Sequence, residues 1–246
     1  MAGTQVDGSG TAVDPQELRR ARDLAEAGAG TSWEGLHLQV AALVDGVRTG
    51  APWPVEPGST LAADSRATVP HTTTDAVRVT LTASLQHLFS LTSAHVEREP
   101  LPPHVPASLA RRSVEEAATA LWLLAPGSRT ERIARTLRWH AWLNPEPDAA
   151  PGSPARIAFE RRDRQIRGAA AREGCPPHEV LVPLDVAAVV GEADARRLVG
   201  YLSPATAWRS CPPGSTPDED VVRGTALTGW RLLQVAGRAF SRHARD

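Results

Sequence analysis

The sequence predicts an all-α protein, an irregular helical bundle of about six or seven helices joined by long proline-rich loops. Two observations carry this prediction. Capping signatures recur along the chain, and apolar residues at the helical period follow them. Residues 1–13 are small and polar, so we expect a disordered N-terminus. We expect residues 14–246 to form a single helical domain, because 41% of the residues are hydrophobic, which is enough for one core.

Three helices are predicted in the first part of the chain, over residues 14–27, 31–50 and 75–97. Residues 51–74 contain several prolines and show no hydrophobic periodicity, so this segment is predicted to be a long loop. His95 lies on the apolar stripe of the third helix, near its C-terminus. A histidine in such a position is more often a satisfied core residue than a ligand.

The next two helices are predicted over residues 108–124 and 128–143, and they form a hairpin around which the bundle is organised. Pro126 and Gly127 end the first of them. Ser128 and Glu131 form a capping box that opens the second. So short a turn makes the two helices antiparallel neighbours. The C-terminal half of the first helix is apolar nearly all round, and we expect it to be buried.

The first helix of this hairpin carries two Arg-Glu pairs at i, i+4 spacing. Arg111 and Glu115 flank the apolar stripe, so we expect a semi-buried pair in which each side chain needs a partner. Arg112 and Glu116 repeat the spacing on the opposite face. They are expected to form an exposed pair, which contributes only ~0–1 kcal/mol to stability.

The second helix of the hairpin is predicted to turn Ile133, Leu137 and His140 toward the core. The residues predicted to lie away from that face are Arg132, Arg135 and Trp139. Residues 175–178 are predicted to form a loop. The remaining helices are predicted over residues 155–173, 192–202 and 218–242. Gly229 lies on the inner stripe of the last one, where a small residue lets a neighbouring helix approach closely.

The pattern from Ala110 to Leu124, followed by an arginine-rich helix, resembles a family of uncharacterised helical proteins of high-GC bacteria. That family is distantly similar to the HEPN-like helical domains. The resemblance covers residues 75–208, and it implies a helical fold. In that family a late helix carries Ala-His-Gly before a tryptophan. The corresponding segment here, Tyr201 to Trp208, has no histidine.

Composition restricts the functional classes. The 27 basic residues are all arginine and nearly balance 28 acidic ones, so the net charge of −1 gives no overall field for gathering nucleic acid, which we do not expect as a partner. The absence of lysine excludes Schiff-base chemistry and P-loop nucleotide hydrolysis. No apolar run is long enough for a membrane span, and the two cysteines do not make a disulfide scaffold. We therefore expect a cytoplasmic protein without a membrane partner.

No metal site and no cofactor are expected from the sequence. Glu34 and His37 have the Glu-x-x-His spacing of di-iron bundles, but Glu34 falls on the outer face of its helix, and the chain has no second such pair. Cys175 and Cys211 are each followed by two prolines. They form no Cys-x-x-Cys pair, so the spacing typical of zinc sites is absent.

The sequence leaves the choice between a binding module and an enzyme open. The first hypothesis is a non-catalytic helical module that binds a protein partner or a small ligand, with a homodimer as one form, because catalytic motifs are absent. The alternatives are a HEPN-like ribonuclease and a small-molecule enzyme that uses inward-facing histidines. Arg135 and His140 have the formal spacing of the ribonuclease motif, but about 140° of helical rotation separates them. The candidate ligand-binding residues are Arg111, Glu115, His95 and His140.

Overall fold

The computed structural model describes residues 32–49, 53–181, 184, 189 and 218–246. Every regular element in these residues is an α-helix, which confirms the all-α prediction. In chain order the helices are α1 Trp33–Thr49, α2 Thr60–Thr68, α3 Thr73–Val96, α4 His104–Leu124, α5 Arg129–Trp142, α6 Pro154–Arg172, α7 Pro177–Val180 and α8 Glu219–His243. None of these described helices is long and apolar enough to cross a membrane. The predictions for residues 1–13, 14–27 and 192–202 lie outside the described residues.

Helix α2 lies in the segment that was predicted to be a loop, so that prediction is wrong. Ser59 caps the helix by accepting a hydrogen bond from the backbone N–H of Ala62 (3.3 Å). Leu61, Asp64 and Thr68 form its buried face. Because two of these three residues are polar, the hydrophobic pattern carries no helical signal. Helix α7 is shorter still, with four residues, and it begins within residues 175–178, which were also predicted to form a loop.

The hairpin of α4 and α5 is present, with two differences from its prediction. Helix α4 begins at His104 instead of Ser108, because Pro106 is tolerated in the first turn of a helix. Ser128 caps α5 as predicted, accepting a hydrogen bond from the backbone N–H of Glu131 (3.2 Å). The carboxylate of Glu131 pairs with Arg135, however, and this half of the predicted capping box is not formed.

Most of the hydrophobic core lies between α1, α3, α4 and α8. We call it the large cluster. The second half of α4 is buried on every side from Ala117 to Leu124, as its composition predicts. The predicted close approach at Gly229 is confirmed, since a Cβ atom built there would lie 2.2 Å from Ser113 Oγ of α4. The absence of a side chain therefore brings α8 against α4.

A small cluster of apolar side chains joins α5, α6 and α7, with Ile133, Leu137, Ile166, Cys175 and Val180 among its members. Helices α2 and α5 contribute to both clusters. From α5, Trp139 belongs to the large cluster, whereas Ile133 and Leu137 belong to the small one. Arg132 and Trp139 are both buried. Their predicted outward position is wrong, because α5 is covered on two sides and a single inner stripe does not describe it.

Buried polar side chains of α2, α3 and α5 lie where the two clusters meet. Arg132 donates its Nε–H to Asp64 Oδ2 (2.7 Å), and the two side chains are 8% and 1% exposed. Arg132 also donates from Nη1 to the carbonyl oxygen of Pro126 (3.1 Å). Thr136 donates to Thr73 Oγ1 (3.1 Å). We call Asp64, Thr73, Arg132 and Thr136 the polar seam.

Candidate ligand-binding site

A cavity of about 270 Å³ lies where the ends of three helices meet. Trp33 is the first residue of α1, His95 lies in the last turn of α3, and Glu219 is the first residue of α8. We call this space the His95 cavity. Its apolar wall consists of Leu91, Ala94, Leu101, Pro103, Pro106 and Val222.

The polar wall of the His95 cavity is a group of three side chains in contact. Trp33 donates its indole N–H to Glu219 Oε1 (3.2 Å). His95 Nε2 lies 3.5 Å from the same oxygen, and the rings of His95 and Trp33 pack with their centroids 4.4 Å apart. Glu99 adds a second carboxylate. Because Trp33 is buried and Glu219 is mostly exposed, the indole holds a carboxylate at the edge of the cavity.

Local capping places these side chains at the helix ends. Ser32 caps α1 by accepting a hydrogen bond from the backbone N–H of Gly35 (3.2 Å). Asp218 caps α8 by accepting one from the backbone N–H of Asp220 (2.9 Å). His95 was expected to be a satisfied core residue, but its side chain is 38% exposed. The reason is that only the first residues of α1 and α8 contact His95, and the rest of its ring faces the open cavity.

Arg111 and Glu115 lie in the middle of α4 and do not line the His95 cavity. Arg111 donates its Nε–H to Glu115 Oε1, so the predicted ion pair is present. The side chain of Glu115 is 12% exposed, whereas that of Arg111 is 47% exposed. Only the carboxylate of the pair is therefore semi-buried.

The expected exposed pair of Arg112 and Glu116 is not formed. Arg112 Nη1 lies 3.6 Å from Glu115 Oε2, so both arginines neutralise the same carboxylate. Glu116 is half-buried, and burial raises its pKa while the positive charge of Arg112 opposes the shift. His87 of α3 faces the same charged residues. Burial lowers the pKa of His87, and the charge of Arg112 acts in the same direction.

His140 lies at a third location, on α5 against the loop that precedes α3. Its ring and that of His71 pack with their centroids 5.0 Å apart, and its Nε2 lies 3.4 Å from the carbonyl oxygen of Thr72. Burial lowers the pKa of His140 to about 4, and electrostatic repulsion between the two imidazoles, should both be protonated, contributes to the shift. Burial also lowers the pKa of His71. Both imidazoles are therefore neutral at neutral pH.

Arg135 and His140 contact different parts of the molecule, as the helical rotation between them predicts. Arg135 donates from Nη1 to the carbonyl oxygen of Trp122 (2.9 Å) and pairs with Glu131. Its guanidinium lies 5.2 Å from the centre of the Trp122 ring. His140 faces His71 and Thr72 instead. The two side chains do not face a common space.

The described part of the chain contains no group of three or more His, Cys, Asp or Glu side chains that could hold a metal ion. Glu34 is exposed, as its helical position predicts. His37 is turned toward α3, where its ring stacks on Phe89 with the centroids 5.8 Å apart and its Nδ1 lies 3.2 Å from Thr92 Oγ1. Glu34 and His37 therefore do not converge on one site.

No protein-family model, curated protein or solved structure matches the chain significantly. The likeness of the segment from Ala110 to Leu124 to the HEPN-related helical proteins therefore stays a prediction.

Three residues of the His95 cavity were missed by reasoning from the sequence, namely Trp33, Glu99 and Glu219. Trp33 is indistinguishable from a core residue because it starts a regular apolar stripe. Glu219 looks like an ordinary acidic residue in the first turn of a helix, where its negative charge interacts favourably with the helix dipole. Since 186 positions separate Trp33 from Glu219, no local pattern joins them. The available signal is that each lies next to a cap, at a helix end.

Proposed function

We propose that this chain is a binding module for a small, mainly apolar ligand that carries a positively charged amine, held in the His95 cavity. The observation that carries the proposal is a cavity in which an apolar wall meets two carboxylates, those of Glu99 and Glu219. None of the described residues that line it is an arginine. Small-ligand sites typically combine such an apolar surface with a few convergent polar groups.

The polar contacts favour a cation over an anion. Glu219 already accepts a hydrogen bond from Trp33, but a carboxylate has about four acceptor positions and retains room for an ammonium group. The indole ring of Trp33 adds an aromatic surface, which attracts cations through its quadrupole. A volume of about 270 Å³ suits a ligand with one ring and a short side chain.

The positions of the candidate residues support binding over the enzymatic alternatives. A small-molecule enzyme built on His95, His140 and Glu115 requires these groups at one site, whereas each has different neighbours. A ribonuclease of the HEPN type requires Arg135 and His140 to act together, and they contact different residues. The concave shape of the cavity favours a small ligand over a protein partner. We propose that the protein acts in the reducing cytoplasm.

Calorimetric titration with three phenyl compounds tests the proposal. Phenethylamine carries the cation, 2-phenylethanol is a neutral analogue, and phenylacetate is an anionic analogue. We expect phenethylamine to bind most tightly and phenylacetate most weakly. Glu219→Gln should lower the affinity for phenethylamine at least about tenfold, because a hydrogen bond to a charged group contributes ~1.5–3 kcal/mol.

Asp220→Asn is the matched control, since Asp220 is exposed in the same turn and pairs with Arg223 outside the cavity. This variant should bind phenethylamine like the wild type. Phenylacetate binding as tightly as phenethylamine would overturn the choice of a cation. If none of the three compounds bound, the proposal of a small-ligand site would be wrong.

A further inference from the structure

A second, larger cavity of about 630 Å³ lies at the other end of α8. Its apolar wall includes Leu43, Trp53, Trp230 and Leu233, and its rim carries three arginines, Arg238, Arg242 and Arg245, and one acidic residue, Asp246. We call it the Arg238 cavity. A helix rises about 1.5 Å per residue, so the α8 residues that line this cavity, from Trp230 to Arg242, lie about 17–35 Å from Glu219 along the helix axis. The two cavities are therefore independent sites.

Only one of the arginines at the rim of the Arg238 cavity lies in the last turn of α8. Arg242 lies in the last turn, where a cation complements the helix dipole. Arg245 lies beyond the end of the helix, and Arg238 precedes the last turn. Both are exposed, and neither forms an ion pair within the part of the chain that the structure describes. Two guanidinium groups are thus available to a ligand.

Trp53 is held firmly as one wall of this cavity. Its backbone has a φ of +57°, a conformation that residues other than glycine rarely adopt. Arg78 fixes the peptide by donating from Nε (3.2 Å) and Nη2 (2.8 Å) to the Trp53 carbonyl oxygen. The indole packs edge-on against Phe240, with the centroids 5.9 Å apart. Strained residues of this kind concentrate at sites that bind ligands.

Gly237 explains how the indole fits against α8. A Cβ atom at this position would lie 3.1 Å from Trp53 Cζ3, which is tighter than ordinary contact. The glycine therefore leaves space for a large aromatic side chain beside the arginines. An aromatic wall in the same cavity as two arginines offers a ring a stacking surface, and each guanidinium group offers an oxyanion charged hydrogen-bond donors.

We propose that the Arg238 cavity binds a small aromatic anion, a ring that carries one phosphate or carboxylate group, about the size of a mononucleotide. The anionic group binds Arg238 and Arg245. The ring lies against Trp53 and Leu233. This site is separate from the proposed amine site, so a failure of one proposal does not affect the other.

Three probes test the ring contact and the charge contact separately. AMP carries both the ring and the charge, adenosine carries only the ring, and inorganic phosphate carries only the charge. Calorimetry at low ionic strength should give the tightest binding for AMP, and added salt should weaken it. The indole N–H resonance of Trp53 should shift on AMP addition. Arg238→Gln and Arg245→Gln should each lower AMP affinity at least about tenfold.

Arg161→Gln is the matched control, because Arg161 is exposed on α6 and does not line the cavity. It should bind AMP like the wild type. Equal affinities for AMP and adenosine would overturn the anionic contact, and equal affinities for AMP and phosphate would overturn the aromatic one. No AMP binding, or an equal loss in Arg161→Gln, would overturn the site itself.

Discussion

Two neighbouring glutamates of α4 show how strongly the surroundings of a residue determine its role. Glu115 contacts Arg111 and Arg112, so two cations compensate its charge. Glu116 is half-buried, and burial raises its pKa. Two arginines therefore surround the carboxylate of Glu115, whereas ionisation of Glu116 works against folding.

We expect Glu115→Gln to lower the free energy of unfolding by about 1 kcal/mol at neutral pH, because its partners are largely exposed. Glu116→Gln should raise that free energy or leave it unchanged. Since the folded-state pKa of Glu116 is raised, its favourable contribution is complete below the ordinary value of 4.5 and is lost as the pH rises through the folded pKa. The advantage of Glu116→Gln over the wild type should therefore be larger at neutral pH than at acid pH.

Urea unfolding of the wild type and of both variants, at neutral pH and at acid pH, measures these effects. The Glu116→Gln protein serves as the control for Glu115→Gln, because the two substitutions have the same chemistry on the same helix. Equal losses of stability for the two variants at neutral pH would contradict the different environments assigned to them.

At the residue scale, the sequence predicts the pairing of Arg111 with Glu115 but not that of Arg112. Helical rotation gives the direction of each side chain, and it places Arg111 and Glu115 on the same flank. Arg112 can reach a carboxylate three or four positions further on. Its contact with Glu115 instead of Glu116 depends on side-chain orientations that the rest of the fold sets, and the helix alone does not specify them.

At the scale of the element, long stripes and caps predict the larger helices within a few residues. The predicted helix over 75–97 is observed as Thr73–Val96, and that over 155–173 as Pro154–Arg172. The short helices α2 and α7 were missed because their burial is spread over few residues. In α2 the buried Asp64 and Thr68 make hydrogen bonds that have no counterpart in a hydrophobic pattern.

The contact between α4 and α8 is testable at Gly229. We expect Gly229→Ala to lower the free energy of unfolding by about 1–3 kcal/mol, because the new methyl group overlaps Ser113 and forces the two helices apart. Gly46→Ala in α1 is the matched control, since a Cβ atom there meets nothing within 4 Å. That change should stabilise the protein by about 0.5–1 kcal/mol through helix propensity. Thermal and urea unfolding would contradict the close contact if both variants were stabilised.

At the scale of the whole molecule, the chain builds a large and a small cluster that meet at the polar seam. Composition and periodicity predict helices with apolar faces, but they do not predict which faces meet. Asp64 and Arg132 are 68 positions apart, and their pairing depends on the arrangement of α2, α3 and α5. The same limit applies to the His95 cavity, whose three contacting side chains come from helices far apart in sequence.

The polar seam should couple the two clusters energetically. Replacing one member of a buried ion pair leaves the other charge uncompensated, so we expect Asp64→Leu to lower the free energy of unfolding by about 3–5 kcal/mol. Asp64→Leu combined with Arg132→Met should cost less than Asp64→Leu alone, because no charge then stays buried. Asp163→Asn is the control, since it removes the exposed pair with Arg167 and should cost less than about 1 kcal/mol.

Hydrogen exchange locates the loss in the molecule. In Asp64→Leu the amides of α5 to α7 should lose protection before those of α4, because the small cluster has few apolar contacts of its own and depends on the seam for its attachment. The double variant should restore part of that protection. Uniform loss of protection in all helices would mean that the two clusters unfold as one unit. A double variant less stable than Asp64→Leu would mean that Arg132 stabilises the seam even without its carboxylate partner. It would then do so through its hydrogen bonds to the carbonyl groups of Pro126 and Gly127.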